Sequence, residues 1–405
     1  MNNPILNTEM DIDSGAVTKQ VVIHKLSNPN VKHCIIVTSF DENQPGYLDF
    51  AYRIQSLNDY YHVTIISHQP LKQAELQFIN TKYVVIKQPA GKLGVLNYCW
   101  QVAKYIRRNQ PAITVLMHSS LAFITLLLTK QICALYWNEH PTNLMRLPEY
   151  FSPVKYVVTS VLQKLLFLGA KKAQLVMPIG EEHHQELLEK GCHPNRVEMI
   201  YMGVADAFTQ YATPQPQHQE WIKIVYVGTV SPQRGRDVML EAMVNIAQDN
   251  IPVHLTIIGA SETELNYCNS RIKYLGIQAN VVVLGRVTGD QIPQLLAQAD
   301  VGICLWEDKP WWRFNPPTKL FEYLAAGLPV LASDIRTHTR YVQHWHNGLI
   351  FDYSVESLTS ALADLALNDN RLIALKQQAA MDGEQYLWRH IEPQFLQKIA
   401  SLVQV

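Results

Sequence analysis

The sequence predicts an α/β protein built from two doubly wound parallel-sheet domains. Three observations carry this. Short apolar runs of strand length alternate with helix-length segments along most of the chain, which is the pattern of βαβ units. The strand runs HCIIVTSF (33–40) and IKIVYV (222–227) are largely apolar and VGICLW (301–306) is apolar throughout, as expected of strands covered on both faces. The alternation is broken by a polar, proline-containing stretch, AFTQYATPQPQHQE (207–220), of the kind that joins domains. We therefore divide the chain into a mobile tail (1–20), a first domain (21–204), a linker (205–220), a second domain (221–383) and a closing helix (384–405).

Composition narrows the function. Of 405 residues, 48% are apolar and only 17% charged, which favours layered α/β structure over a solvated helical protein. A net charge of −1 offers no field for nucleic acid or an acidic surface at large, so no nucleic-acid partner is expected. The six cysteines are scattered without CxxC spacing or clustered histidines, and read as free thiols in a reducing, cytoplasmic setting. Residues 1–19 are polar and lack the apolar core of a signal peptide. The most apolar window, 113–137, contains His118 and Lys130 and reads as strand, helix and strand, not as a membrane span. The Asp-x-Asp match Asp11-Ile12-Asp13 sits in the tail, so no catalytic metal is expected.

In the first domain, strands are expected at 33–40, 62–67, 83–86, 112–117, 133–137, 174–177 and 197–201, with helices at 47–57, 93–107, 119–130 and 180–190. Gly46 lies in the first strand-to-helix loop, where a glycine lets backbone approach a ligand. His118, Glu139 and His140 follow strand ends, where the reactive groups of parallel sheets collect, and are the catalytic candidates. Residues 152–173 form a long helix, apolar nearly all round, with Lys155, Lys164, Lys171 and Lys172 along it. The few lysines favour a core helix beneath the sheet; the other reading is a helix lying on a membrane surface and presenting a lipid-linked acceptor.

The second domain opens with a strand at 222–227, the loop Gly228 to Gly235 and a helix at 236–247, an arrangement that suits a phosphate. Arg234 can add a two-pronged charged contact, and Arg286 lies at another strand end. The segment 301–334 reads as strand, loop, helix, turn and strand. Asn315-Pro316 has the form of a helix start, Gly327 of a helix stop. On that reading Asn315, Lys319 and Glu322 share one face, while Leu320, Phe321 and Leu324 face the sheet. The plain reading of Lys319 and Glu322 is a surface ion pair; the functional one is a grip on a sugar nucleotide. The loop EDKPWWRF (307–314) offers Trp311 and Trp312 for stacking and Arg313 for phosphate, or it simply caps itself. Helices are also expected at 337–343 and from 355, 370 and 383 onwards.

The stretch NPPTKLFEYLAAGLPVLASD (315–334) resembles the nucleotide-binding segment of GT-B-fold glycosyltransferases, family 4 of the retaining enzymes in particular. The resemblance runs from about residue 31 to about residue 397 and is densest in the second half. It implies two Rossmann-like domains facing across a cleft, with the last helix crossing back onto the first domain. It also implies that Glu322 holds the ribose. The first of the family's two helix glutamates would fall at Phe314, a second basic residue at Thr229, and an Asn-Gly-Val-Asp run at Met202; this chain departs at each. The implied function is transfer of a hexose, with retention, from a UDP- or GDP-sugar to a glycan or lipid-linked acceptor. That implies no separate cofactor and allows a peripheral contact with the inner face of a membrane. A sugar-nucleotide epimerase of the same fold and a binding subunit without catalysis are the alternatives.

Overall fold

The computed structural model describes residues 31–38, 47–69, 81–88, 92–145, 152–210 and 221–403. The first domain contains β1 (His33–Val37), α1 (Tyr47–Asn58), β2 (His62–Ser67), β3 (Lys82–Val85), α2 (Lys92–Asn109), β4 (Ile113–Leu116), α3 (Ala122–Leu127), β5 (Cys133–Trp137), α4 (Pro141–Leu144), α5 (Pro153–Lys172), β6 (Leu175–Pro178) and α6 (Glu181–Glu189). The second contains β7 (Ile222–Val227), α7 (Arg236–Gln248), β8 (Val253–Ala260), α8 (Glu262–Leu275), β9 (Val281–Gly285), α9 (Ile292–Leu296), β10 (Val301–Cys304), α10 (Thr318–Ala325), β11 (Val330–Ser333), α11 (Arg336–Thr339), β12 (Gly348–Phe351), α12 (Val355–Ala366) and α13 (Asp369–Gly383). The chain closes with α14 (Trp388–Val403).

Each domain is one six-stranded sheet, ordered β3-β2-β1-β4-β5-β6 and β12-β11-β10-β7-β8-β9. Every strand pairing is parallel. Counted from its own first strand, the second sheet has the same order as the first. The winding therefore reverses between β1 and β4 and again between β7 and β10. Crevices open beyond the carboxyl ends of strands at such reversals, and this places His118, at the end of β4, and the loop from Gly228, at the end of β7, on the ligand side.

The core strands are apolar because they are covered twice. Cys34 to Val37 and Val301 to Cys304 are buried, and all six cysteines are buried and free. Three expectations are corrected. Residues 197–201 form no strand; Val197 makes only an isolated bridge to Val176, and Pro178, lacking an N–H, cannot return a ladder bond along this edge. The helices expected at 119–130 and 337–343 shrink to α3 and α11. The third concerns α5, which is not a core helix over its length: Val154, Val157 and Val161 are 74%, 58% and 49% exposed.

The last helix returns to the first domain. Trp388 N–H donates to the Val204 carbonyl (2.7 Å), Ser56 donates to Glu392, and Lys398 pairs with Glu198 (2.9 Å). Gly203 permits this: a Cβ there would lie 2.3 Å from the Trp388 ring. Beneath the joint, buried Arg53 contacts Asp49 at 3.1 Å and donates to the Tyr201 carbonyl at 2.7 Å. The guanidinium lies over the rings of Tyr136, Trp388 and Phe395, so helix docking and the first core share one charge network.

Candidate active site

The second domain supplies a polar floor. Gly228 has φ 134° and Gly259 φ 109°, and a Cβ on Gly259 would sit 2.4 Å from the Gly228 carbonyl oxygen. Positive φ at both positions and the close approach at Gly259 require glycine. Gly235, at φ 78°, ends the loop and begins α7.

Helix α10 carries the central pair. Leu320, Phe321 and Leu324 are fully buried against the sheet, as their spacing predicts. Lys319 is 8% exposed, and its Nζ has no hydrogen-bond partner among the described residues. It rests 3.7 Å above the centre of the Tyr226 ring and 3.1 Å from where a Gly228 Cβ would be. Burial is the main reason its pKa falls to about 7; nearby Arg234 pushes it the same way. Burial likewise raises Glu322 to about 7, with Lys319 pulling back. The two do not form the surface ion pair that i,i+3 spacing allows. Among the described residues neither has a hydrogen-bond partner, and desolvated charge is costly unless a ligand completes it.

Asn315 is a correction. The helix starts at Thr318 with Pro317 at the cap position, so Asn315 is not an N-cap and does not share the Lys319 face. Two successive prolines keep 315–317 extended, because the residue before proline avoids the helical region. The Asn315 side chain instead reaches the first domain. Its amide donates to Glu139, and its Oδ1 lies 2.9 Å from His183 Nε2 and accepts from His140 N–H at 3.3 Å.

The first domain provides the facing wall. Glu139 also accepts from Asn143 Nδ2 (2.7 Å), and burial raises its pKa against these bonds. Its charge is felt by Arg234 across the gap. His118 caps the turn after β4: Nδ1 accepts from Ser120 N–H at 3.2 Å, and burial lowers its pKa to about 4, so the ring is neutral. His140 is held rigidly. Its Nε2 lies 2.6 Å from Glu186, its Nδ1 2.6 Å from Thr142 Oγ1, and its face stacks on Phe314 with centroids 3.8 Å apart. The position at which the resemblance places a glutamate is thus an aromatic contact between the domains.

Arg234 lies against Trp306 and Trp312, with Cζ 4.7 and 4.3 Å from the ring centroids. Burial lowers its pKa, partly offset by neighbouring Tyr226, Cys304 and Glu139. Trp312 stacks on Trp306, so the loop does pack on itself. Arg313 is turned away, paired with Asp308 at 2.7 Å and half exposed. Arg286 is exposed beyond the edge strand β9, apart from this cluster. Gly46 and the Trp311 side chain lie outside the described residues.

Sequence reasoning missed His183, Trp306 and the clasp beside them. Glu182 on α6 pairs with Arg336 (2.6 Å) and Arg340 (3.3 Å), and Glu181 accepts from Tyr341 (2.5 Å). The Glu181-Glu182-His183 run at a helix start was the available signal, since acids there invite cations or hydroxyls from elsewhere. Among the described residues no group of His, Cys, Asp and Glu is arranged to hold a metal.

Comparison with known proteins fits this geometry. The family model described as "Glycosyl transferases group 1" matches residues 211–382. A putative glycosyltransferase, YtcC of Bacillus subtilis, is 27% identical over 157 residues, 37% of this chain and 37% of that protein. A D-inositol 3-phosphate glycosyltransferase of Rhodococcus opacus is 25% identical over 235 residues, 55% of this chain and 51% of that protein. The chain thus spans about a third to a half of the length of these curated relatives. Among solved structures, Anabaena HepE in complex with UDP and glucose superposes with TM-score 0.70 at 14% identity, over 91% of this chain and all of that one. Sucrose-phosphate synthase from Thermosynechococcus elongatus superposes with TM-score 0.72 at 11% identity, over 92% of this chain and 99% of that one. The chain has the GT-B fold, and residues 211–382 within it match the glycosyl transferases group 1 model.

Proposed function

We propose that the protein is a retaining glycosyltransferase, moving a hexose from a UDP- or GDP-sugar to a glycan or lipid-linked acceptor. The observation that carries this is Lys319: a buried ammonium with no hydrogen-bond partner among the described residues, beside a glycine loop and the half-buried Glu322 carboxylate, at the reversal point of a parallel sheet. A nucleoside diphosphate supplies what each group lacks. The leaving diphosphate gains charge as the sugar departs, and Lys319, Arg234 and the backbone of the Gly228 loop meet it. Glu322 accepts from the ribose hydroxyls and so anchors the nucleoside away from the reacting carbon. Glu139, with its raised pKa and two amide donors, and neutral His118 stand on the acceptor side. His140 and Phe314 form a wall that excludes water and protects the donor from hydrolysis. The presence of UDP and glucose in a structure of the same fold supports this choice of ligand.

Isothermal titration with UDP-, GDP- and sugar-loaded forms tests the reading. The intact protein should bind one of them, and Glu322→Ala and Arg234→Ala should each lose binding while melting like the parent. Absence of binding across the panel would overturn it. Conversion of free sugar nucleotide without any acceptor would identify an epimerase, and a product anomer opposite to the donor's would remove retention.

A further inference from the structure

We infer that the exposed face of α5 docks the protein on an anionic lipid surface, with the cleft mouth at the bilayer. Helix α5 has two apolar stripes. One, with Thr159, Leu166 and Ala170, is buried in the domain, and α3 fastens it there through Thr125 Oγ1, which donates to the Gly169 carbonyl at 2.6 Å. The other faces outward: Val154, Val157, Val158, Val161 and Leu168 are 74%, 58%, 43%, 49% and 43% exposed. Their spacing of three, four, seven and fourteen from Val154 is that of a single helix face. Isolated exposed apolar side chains are ordinary; a continuous row of branched ones is a contact surface.

Charge selects the occupant. Over its 20 residues α5 carries Lys155, Lys164, Lys171 and Lys172 and no acidic residue, and all four lysines are exposed. An apolar row on a helix whose only charged residues are lysines matches the boundary of an anionic bilayer, where the row enters the acyl edge and the ammonium groups meet headgroups. Among the described residues no helix is long and apolar enough to cross a membrane, so the contact is parallel to the surface.

Position gives it meaning. Because α5 joins the end of β5 to the start of β6, it runs antiparallel to the strands, and its first turns lie at the sheet edge that bears His118 and Glu139. The most exposed valines are in those turns. The docking stands on α5 alone. Its consequence, that the acceptor is lipid-linked and enters the cleft from the bilayer, rests on the proposed transferase reading.

Flotation of the full chain with vesicles tests the docking, and UDP titration of the same samples tests the transferase reading separately. Phosphatidylcholine vesicles containing phosphatidylglycerol should carry the protein up the gradient; pure phosphatidylcholine should carry much less, and added salt should release it. The double change Val157→Glu with Val161→Glu should lower partitioning by about tenfold or more, with melting temperature and UDP affinity unchanged. Lack of flotation with the anionic vesicles, or flotation indifferent to the double change, would overturn the inference. So would a dimer of the parent that the double change makes monomeric, since the face would then belong to a second copy of the chain.

Discussion

Two buried cations, Arg53 in the first domain and Lys319 in the second, are treated in opposite ways. In the first, Arg53 is fully buried and heavily partnered: Asp49, the Tyr201 carbonyl and three aromatic faces surround it. Asp49 in turn accepts from Tyr136 Oη (2.5 Å) and Gly203 N–H (2.8 Å). In the second, Lys319 is almost as deeply buried and has only the face of Tyr226, while Glu322, one turn on, has no hydrogen-bond partner among the described residues. Desolvation disfavours the charged form of both. Partners offset the cost for Arg53, which is therefore structural. The cost at Lys319 is left standing, and a charge left so is one that a ligand completes.

The largest effect separating the two should be on stability. Arg53→Ala leaves Asp49 buried without its cation and loosens the α14 joint, and should cost about 3–5 kcal/mol, read as a lowered urea midpoint. Lys319→Met should do the reverse. It removes a charge that burial disfavours, so the midpoint should hold or rise. Its loss appears in binding, where a charged hydrogen bond worth about 1.5–3 kcal/mol corresponds to roughly a tenfold to hundredfold weaker UDP affinity. If Lys319→Met unfolded as readily as Arg53→Ala, the contrast would be broken.

How far the sequence reveals these two sites follows from how local each one is. Helix α10 was legible because its apolar face and its Lys319–Glu322 spacing lie within one turn-repeat, and glycine marks its end. The doubly wound sheets were legible from continuous apolar strands. Asn315 was misread because Asn-Pro has the form of a helix start, and what competes with that form is a pair of partners more than 130 residues away in sequence: Glu139, which accepts from its amide, and His183, which donates to its oxygen. The Asp49–Arg53 pair has ordinary helix spacing and looks like a surface contact; Tyr136, the 201–203 backbone and α14, all distant in sequence, close over it. The outward face of α5 was misjudged for a related reason. A helix apolar all round is most simply a core helix, and periodicity alone does not say which of two stripes the domain covers.

Protonation sharpens the comparison at a finer scale. Lys319 titrates near 7, well below the 10.5 of a free lysine, so above pH 7 much of it is neutral in the unliganded protein. A diphosphate favours the ammonium, hence binding at pH 8 should take up protons. Glu322 is raised to about 7, so below that pH it is largely protonated, and ribose hydroxyls favour the carboxylate. Binding at pH 6 should therefore release protons. Titration calorimetry in buffers of different ionisation enthalpy reads the sign directly, and Lys319→Met should abolish the uptake at pH 8 alone. No such linkage is expected from Arg53, whose pKa is raised; burial alone would lower it, but Asp49 and Tyr136 outweigh that.

The smallest expected effect is at Arg313. The loop sequence suggests a cation facing phosphate, yet its guanidinium is exposed and paired twice with Asp308 at 2.7 Å. Exposed pairs contribute little, because water already solvates both partners well. Arg313→Ala should leave melting temperature and UDP affinity unchanged, in contrast to Arg234→Ala on the buried side of the same tryptophans. A loss of affinity at Arg313 would mean that the 307–314 loop turns inward around bound donor and that Asp308 releases its partner. Arg313 would then join Lys319 and Glu322 among the charges of the second domain that a ligand completes.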